Sequence, residues 1–400
     1  MVKTCTSSRD IDTPPETLDL PTSYPTLHLD RERWKHLLQS QHYQPLIAEV
    51  LGQELPKYHG SNVVPRSLHY NTRECIAILA SSSPVFAAAI EGTLAQRILV
   101  DPELQREYAI IQERAHIVPS IYIHLLVDAQ GIPPTPNQYT VVRETVLRYL
   151  SSGTEHTDLA WQIDNITPPA VRRFLSASGH RKFLWTSHRS PQHAEVLRRF
   201  CDGVASRVVE TPISQRDLPM RYAPTECGYS INSHVRIAQH RHRQSSNYVM
   251  NLVEDVCGYL HQTGTFEQRF SMQPFIVYLI FRPEQAAIAE IFCSGLLQVW
   301  IDGGGLNAYP AGRSVASARR VSQAQWREYE TWAREYTGLV RNVGAQRERM
   351  ERDVEYLDRE MEEVWRGALS EEENDGDDPN DMDYVPDELM EGLEHLQLDG

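Results

Sequence analysis

Arg236 and His240 stand four residues apart, so a helix through them shows both on one face. A guanidinium grips phosphate oxygens bidentately, in a geometry that a lysine does not reproduce, and it stabilises the extra negative charge of a pentavalent phosphorane. An imidazole beside it can contact phosphate or move a proton near neutral pH. Glu290 lies in the apolar run Ala286-Ala287-Ile288-Ala289-Glu290-Ile291-Phe292. Burying it alone is costly, so it calls for a partner, either a cation or Arg236. A hard carboxylate can hold Mg2+ or Mn2+ while water and phosphate fill the remaining positions. Arg236, His240 and Glu290 are therefore the candidate catalytic residues for metal-assisted phosphodiester hydrolysis, with Glu290 also the candidate metal ligand. Arg241, His242 and Arg243 extend the positive charge and are candidate nucleic-acid contacts. Asn307 follows three consecutive glycines, where a turn role and a contact role are both open.

The elements that must hold these residues are readable in outline. Gly228 closes a strand, and the segment from Ser233 to His240 follows as a helix. Ser245, Ser246 and Asn247 are suited to capping a further helix from Tyr248. The run Phe275–Phe281 reads as a strand, and Pro283-Glu284 opens the helix bearing Glu290. A glycine turn, Gly303-Gly304-Gly305, then leads to Asn307.

This order of parts resembles the GIY-YIG endonuclease superfamily. There a glycine closing the second strand precedes a helix arginine by eight residues, with a histidine often four further on, and a helix glutamate and an asparagine follow downstream. Gly228, Arg236, His240, Glu290 and Asn307 match that register. The resemblance covers roughly residues 208–320, and the segment Gln244–Tyr248 is similar to a divergent, filamentous-fungal variant. It implies a metal-dependent nuclease acting on DNA. Two departures stand out. Glu226 occupies the place of the second-strand tyrosine, and 206–222 contains no Gly-Ile-Tyr, although Val208 and Val209 suit the first strand. In the family those tyrosines assist deprotonation of the attacking water. The alternative reading is therefore a catalytically inactive scaffold that binds nucleic acid or protein.

Along the chain, 1–29 is expected to be a disordered leader, 30–150 a helical domain and 151–166 a linker. A basic helical segment at 167–205 interleaves Arg181, Lys182, Arg198 and Arg199 with aromatic residues, as strand-binding surfaces do. The GIY-YIG-like domain spans 206–322, an amphipathic helix with a heptad seam 323–370, and an acidic tail 371–400. The expected fold class is thus α+β, a mainly helical N-terminal domain before a small mixed α/β domain. Within 30–150, Pro119 is expected to start a helix over Ser120–Val127. The seam (Val343, Met350, Val354, Leu357, Met361, Val364, Ala368) suggests a homodimer or a protein partner, and the tail a second docking segment.

The net charge of −15 misleads about the body. Thirteen of the 54 acidic residues lie in 371–400, which has no Lys or Arg. The remaining 370 residues are close to neutral, which leaves room for a local basic face. Six scattered cysteines show no zinc or redox spacing, and no run approaches the roughly 20 apolar residues that span a bilayer. The expectation is a soluble nuclear or cytoplasmic protein without a membrane partner.

Overall fold

The structure is a computed structural model and describes residues 27–58, 67–151, 154–186, 188–244, 247–312 and 315–372. Most of the expected leader and nearly all of the acidic tail lie outside these residues. The chain divides into two compact units at Gln346/Arg347.

The first unit opens with helices α1 (Leu27–Gln39), α2 (Tyr43–Glu54), α3 (Leu68–Ser81), α4 (Pro84–Ile90), α5 (Leu94–Val100) and α6 (Pro102–Arg114). Ser67, Ser83 and Asp101 cap α3, α4 and α6 by accepting backbone N–H bonds, which fixes where these short helices start. Strand β1 (Ser120–Val127) follows, then α7 (Pro136–Leu150), α8 (Thr157–Asp164), α9 (Arg173–Ala177) and α10 (Pro191–Glu210). Strand β2 (Thr225–Ser230), α11 (Ser233–Arg241), α12 (Tyr248–Gln262), strand β3 (Ser271–Leu279), α13 (Gln285–Leu296), α14 (Gln323–Tyr336) and α15 (Leu339–Glu372) complete the order.

The architecture is α+β: mostly helix, around one antiparallel sheet in the order β2-β1-β3. β1 is central and buried along its whole length. Here the sequence expectation of a helix over 120–127 is corrected. A run of Ile, Tyr, Leu and Val interrupted only by His124 suits a strand covered on both faces, and apolar periodicity alone does not separate that from a buried helix. The expectation that Val208 and Val209 form a strand is corrected too, because both belong to the last turn of α10. The first strand of the sheet arrives instead from a segment about 100 residues before β2.

Two hydrophobic clusters cover the sheet. One joins Ile121, Ile123, Leu125 and Val127 of β1 to α2, α3, α4 and α13. The other gathers Leu126 with α7, α10 and α12. β1 thus belongs to the same core as β2 and β3, and the break read at 151–166 does not separate them.

The expected 323–370 helix is broken at Thr337-Gly338 into α14 and α15. In the second unit Met350 and Met361 are exposed, while the side chains of Val354, Leu357, Val364 and Ala368 lie outside the described residues. No single described helix is long and apolar enough to cross a membrane.

Candidate active site

Residue alternation on β1 sets the site. Tyr122 and His124 are i and i+2, so they share one face of the sheet. Antiparallel register places Tyr122 opposite Gly228 and His124 opposite Glu226. The missing side chain at Gly228 makes room for the phenol: a Cβ there would lie 2.5 Å from the Tyr122 hydroxyl oxygen. On the β3 side the ladder shifts register between Ile121 and Tyr122, an irregularity of the kind that re-aims a side chain beside a functional site.

α11 is anchored to this face at its start. Asn232 caps it by accepting the Val235 N–H at 3.1 Å, and buried Ser233 bonds Ser120 of β1 through their hydroxyls at 2.7 Å. One turn on, Arg236 Nε donates to the Tyr122 hydroxyl at 3.4 Å. His240 Nε2 lies 3.2 Å from the same hydroxyl, and the His240 and His124 rings are 4.7 Å apart. His124 Nδ1 meets Glu226 Oε2 at 2.8 Å.

Glu290 comes from the middle of α13, which packs on α2, α3 and β2. It is buried and accepts the Gly312 N–H at 2.7 Å. Tyr122, Glu226, Gly228, Arg236, His240 and Glu290 all border one cavity of about 360 Å3, closed on another side by the 307–311 loop.

Burial controls the protonation states. It pushes the Glu290 carboxyl up to about 7, against the pull of the Gly312 and Tyr229 backbone N–H groups, with Glu226 adding to the rise and Arg236 opposing it. It brings His240 down to about 4, so that ring is neutral at pH 7, although Glu226 pulls the other way. The Tyr122 phenol is raised by burial and by the Glu226 and Glu290 carboxylates, and Arg236 only partly offsets them. Burial also opposes ionisation of Glu226, yet the His124 hydrogen bond, with Arg236 adding to it, wins, and its net shift is downward.

Among the described residues no group of three or more His, Cys, Asp or Glu side chains could hold a metal ion. Glu290 therefore offers a single carboxylate. That fits Mg2+ or Mn2+, which keep several waters and need few protein oxygens. A carboxyl held near neutral pH in a polar-lined cavity is also a group that a cation would stabilise as carboxylate.

The structure brings Arg236, His240 and Glu290 to one cavity, and it assigns other work to two expected contacts. Asn307 accepts the Cys227 N–H at 3.0 Å and donates to the Cys227 carbonyl at 2.8 Å. These two bonds pin the 300–307 loop to the free edge of β2, which is a turn role, and the residue also borders the cavity. Arg243, at φ 57°, folds back onto α12, pairing with Glu254 at 2.9 Å and Asp255 at 2.7 Å. Its charge is spent inside the protein, which corrects its expected contact with nucleic acid. Arg241 and His242 remain exposed.

The expected basic surface at 167–205 is internal only in part, since Arg172, Arg173 and Arg198 are exposed while other members are tied inward. Arg181 is buried against backbone carbonyls, Lys182 reaches the Thr167 carbonyl at 2.6 Å, and Arg199 pairs with Asp302 at 2.7 Å. Sequence reasoning missed Tyr122 and His124, and it treated Glu226 only as a departure from a pattern. Their signal was present as polar side chains alternating within an apolar run. It also passed over Arg319 and Arg320, which are exposed in the turn Val315–Arg320 whose Ser317 borders the cavity.

No family model, curated protein or solved structure matches the chain.

Proposed function

We propose that the protein carries a divergent GIY-YIG-like module, with its first strand supplied by Ser120–Val127, and that this module hydrolyses phosphodiester bonds in nucleic acid, DNA first among them. The observation that carries this reading is the convergence of Tyr122, Arg236, His240 and Glu290 on one cavity. Arginine, histidine and glutamate were expected from the family register, and Tyr122 supplies a tyrosine that the 206–222 segment lacks.

Arg236 binds and neutralises the scissile phosphate, since its guanidinium borders the cavity and is not tied up by a buried carboxylate. Tyr122 orients the attacking water. Its raised phenol stays protonated, so it works by accepting a proton from water while its own proton leaves toward neutral His240 Nε2. Glu290 would hold Mg2+ or Mn2+, and such an ion would supply Lewis-acid polarisation of the phosphate. Arg241, Arg319 and Arg320 are exposed cations available to a nucleic-acid backbone, with exposed His242 beside Arg241.

A scaffold that binds without cutting is favoured by one observation, Glu226 in place of the second tyrosine. The full chain incubated with Mg2+ or Mn2+ and labelled single-stranded, duplex and branched DNA separates the two readings. Hydrolysis expects cleavage that Glu290→Ala abolishes. Intact DNA across the whole titration, with salt-sensitive binding that Arg241→Ala weakens, leaves the scaffold.

A further inference from the structure

Of the tyrosines that border the cavity, Tyr122 and Tyr229 are buried, whereas Tyr309 is 40% exposed. An exposed tyrosine alone calls for no explanation, but this one is held from several sides. Its hydroxyl lies 3.3 Å from that of Tyr248, and the Tyr248 ring stacks on His193 with 3.8 Å between centroids. His193 is fixed in turn, because its Nδ1 donates to the Phe183 carbonyl at 3.1 Å. The loop is fastened on both flanks of Tyr309: Asn307 bonds Cys227 twice, and the Gly312 N–H bonds Glu290. The result is an aromatic ring, open to solvent at the edge of the cavity that Arg236 borders, with little freedom left to lose when something packs on it.

We propose that Tyr309 stacks on an unpaired nucleobase next to the scissile phosphate, so that the substrate is DNA with a single-stranded stretch at the cut. This inference rests on the hydrolytic reading of the cavity and names its substrate class. The cavity measures about 360 Å3, near the lower end of the roughly 300–1,000 Å3 of small-molecule sites, which suits one nucleotide and not the width of a duplex. His240 and Glu290 border it from buried positions, so a phosphate must enter the recess to meet them. A strand released from its partner can make that entry, and a base inside a duplex cannot follow without leaving its stack. Arg236 in the cavity and exposed Arg319 and Arg320 in the neighbouring turn attract the backbone, while Tyr309 offers a surface for the base. Basic groups around an aromatic platform are how proteins hold single strands, and since every base has a π-face the contact tolerates any of the four.

The test uses the full chain and two DNAs, a fully paired duplex and the same duplex with a short single-stranded gap carrying the fluorescent base 2-aminopurine. Without added Mg2+ or Mn2+, so that no strand is cut, wild type is expected to quench the gap fluorescence by stacking. Tyr309→Leu should remove the quench and weaken gap binding on the order of 10-fold, and Tyr309→Phe, which keeps the ring, should restore both. With Mg2+, wild type should cut the gapped DNA in preference to the duplex, and Tyr309→Leu should raise KM for the gapped DNA by a similar factor with kcat little changed. A quench that Tyr309→Leu leaves intact, or cleavage of the duplex as fast as the gapped DNA, overturns this inference while the hydrolytic reading stands. A Tyr309-dependent quench with every DNA left intact by Mg2+ or Mn2+ overturns the hydrolytic reading and keeps the stacking contact as part of a binding scaffold. Neither quench nor cleavage overturns both.

Discussion

At Gly228 the requirement is for space. The backbone there has no need of left-handed angles, yet a methyl group would meet the Tyr122 ring and hydroxyl well inside van der Waals contact. Gly228→Ala should destabilise the fold by about 1–3 kcal/mol, as overpacking does, and should displace the phenol from His240 and Arg236. A urea titration alongside the cleavage assay checks both outcomes, and an unchanged cleavage rate would show that Tyr122 does not take part. Glu290 makes the opposite case, a residue kept at a cost. Its folded carboxyl titrates near 7 against 4.5 unfolded, so between those values the folded state binds more protons and stability falls as pH rises. Glu290→Gln should therefore stabilise the fold at pH 8 by roughly 3 kcal/mol, read as a raised Tm, and match wild type below pH 4.5. His240 pulls the other way. Its folded value near 4 lies under the unfolded 6.5, so its contribution is intact above 6.5 and is lost as pH falls toward 4. Thermal melts across pH 4–8 for wild type and Glu290→Gln separate the two slopes.

At the scale of elements, the site is the meeting of β1, β2, α11 and α13, each tied by a specific contact. Ser120 to Ser233 sets where α11 starts, and the Gly312 N–H to Glu290 fastens the loop after Asn307 to α13. Asn307 holds the same loop to the edge of β2 with two bonds to one residue, Cys227. Gly304, at φ 71°, makes the left-handed turn that brings it there. Asn307→Ala leaves a buried N–H and carbonyl unpaired and should cost about 2–3 kcal/mol. Because the amide is engaged with Cys227, DNA affinity at fixed salt should fall only as far as the fold does. A fluorescence binding titration at fixed salt, beside chemical denaturation, reads both. A loss of affinity at fixed salt without a loss of stability would return Asn307 to the contact role.

At the scale of the whole molecule, the sheet is assembled from segments that the chain keeps far apart. About 100 residues separate β1 from β2, and that stretch is packed into α7 and α10, which build one of the two clusters covering the sheet. A fragment limited to 206–322 lacks the central strand, and β2 and β3 have only β1 as their ladder partner. That fragment should show no cooperative melt by circular dichroism, whereas residues 27–346, the described body of the first unit, should melt as one transition. A cooperative melt of the short fragment would restore the boundary read near 151. The internal use of Arg181, Lys182, Arg199 and Arg243 belongs to this scale as well, since a cluster of basic residues in sequence became the set of ties that binds α10, α11 and α12 to their neighbours.

The sequence by itself determined the local pieces: a helix showing Arg236 and His240 on one face, a helix carrying Glu290 and a glycine turn before Asn307. Caps, periodicity and helix geometry act over a few residues, and these are legible without neighbours. Whether a basic or amide side chain faces solvent or an internal partner is not local, and Arg243 and Asn307 were decided by what packs against them. The run Ser120–Val127 was decided in the same way. Its apolar residues fit a buried helix or a buried strand equally, and only pairing with β2 and β3 chose the strand. That pairing set Tyr122 over Gly228 and His124 beside Glu226, and so placed at the cavity a tyrosine and a carboxylate, backed by a buried histidine, that no spacing along the chain connects.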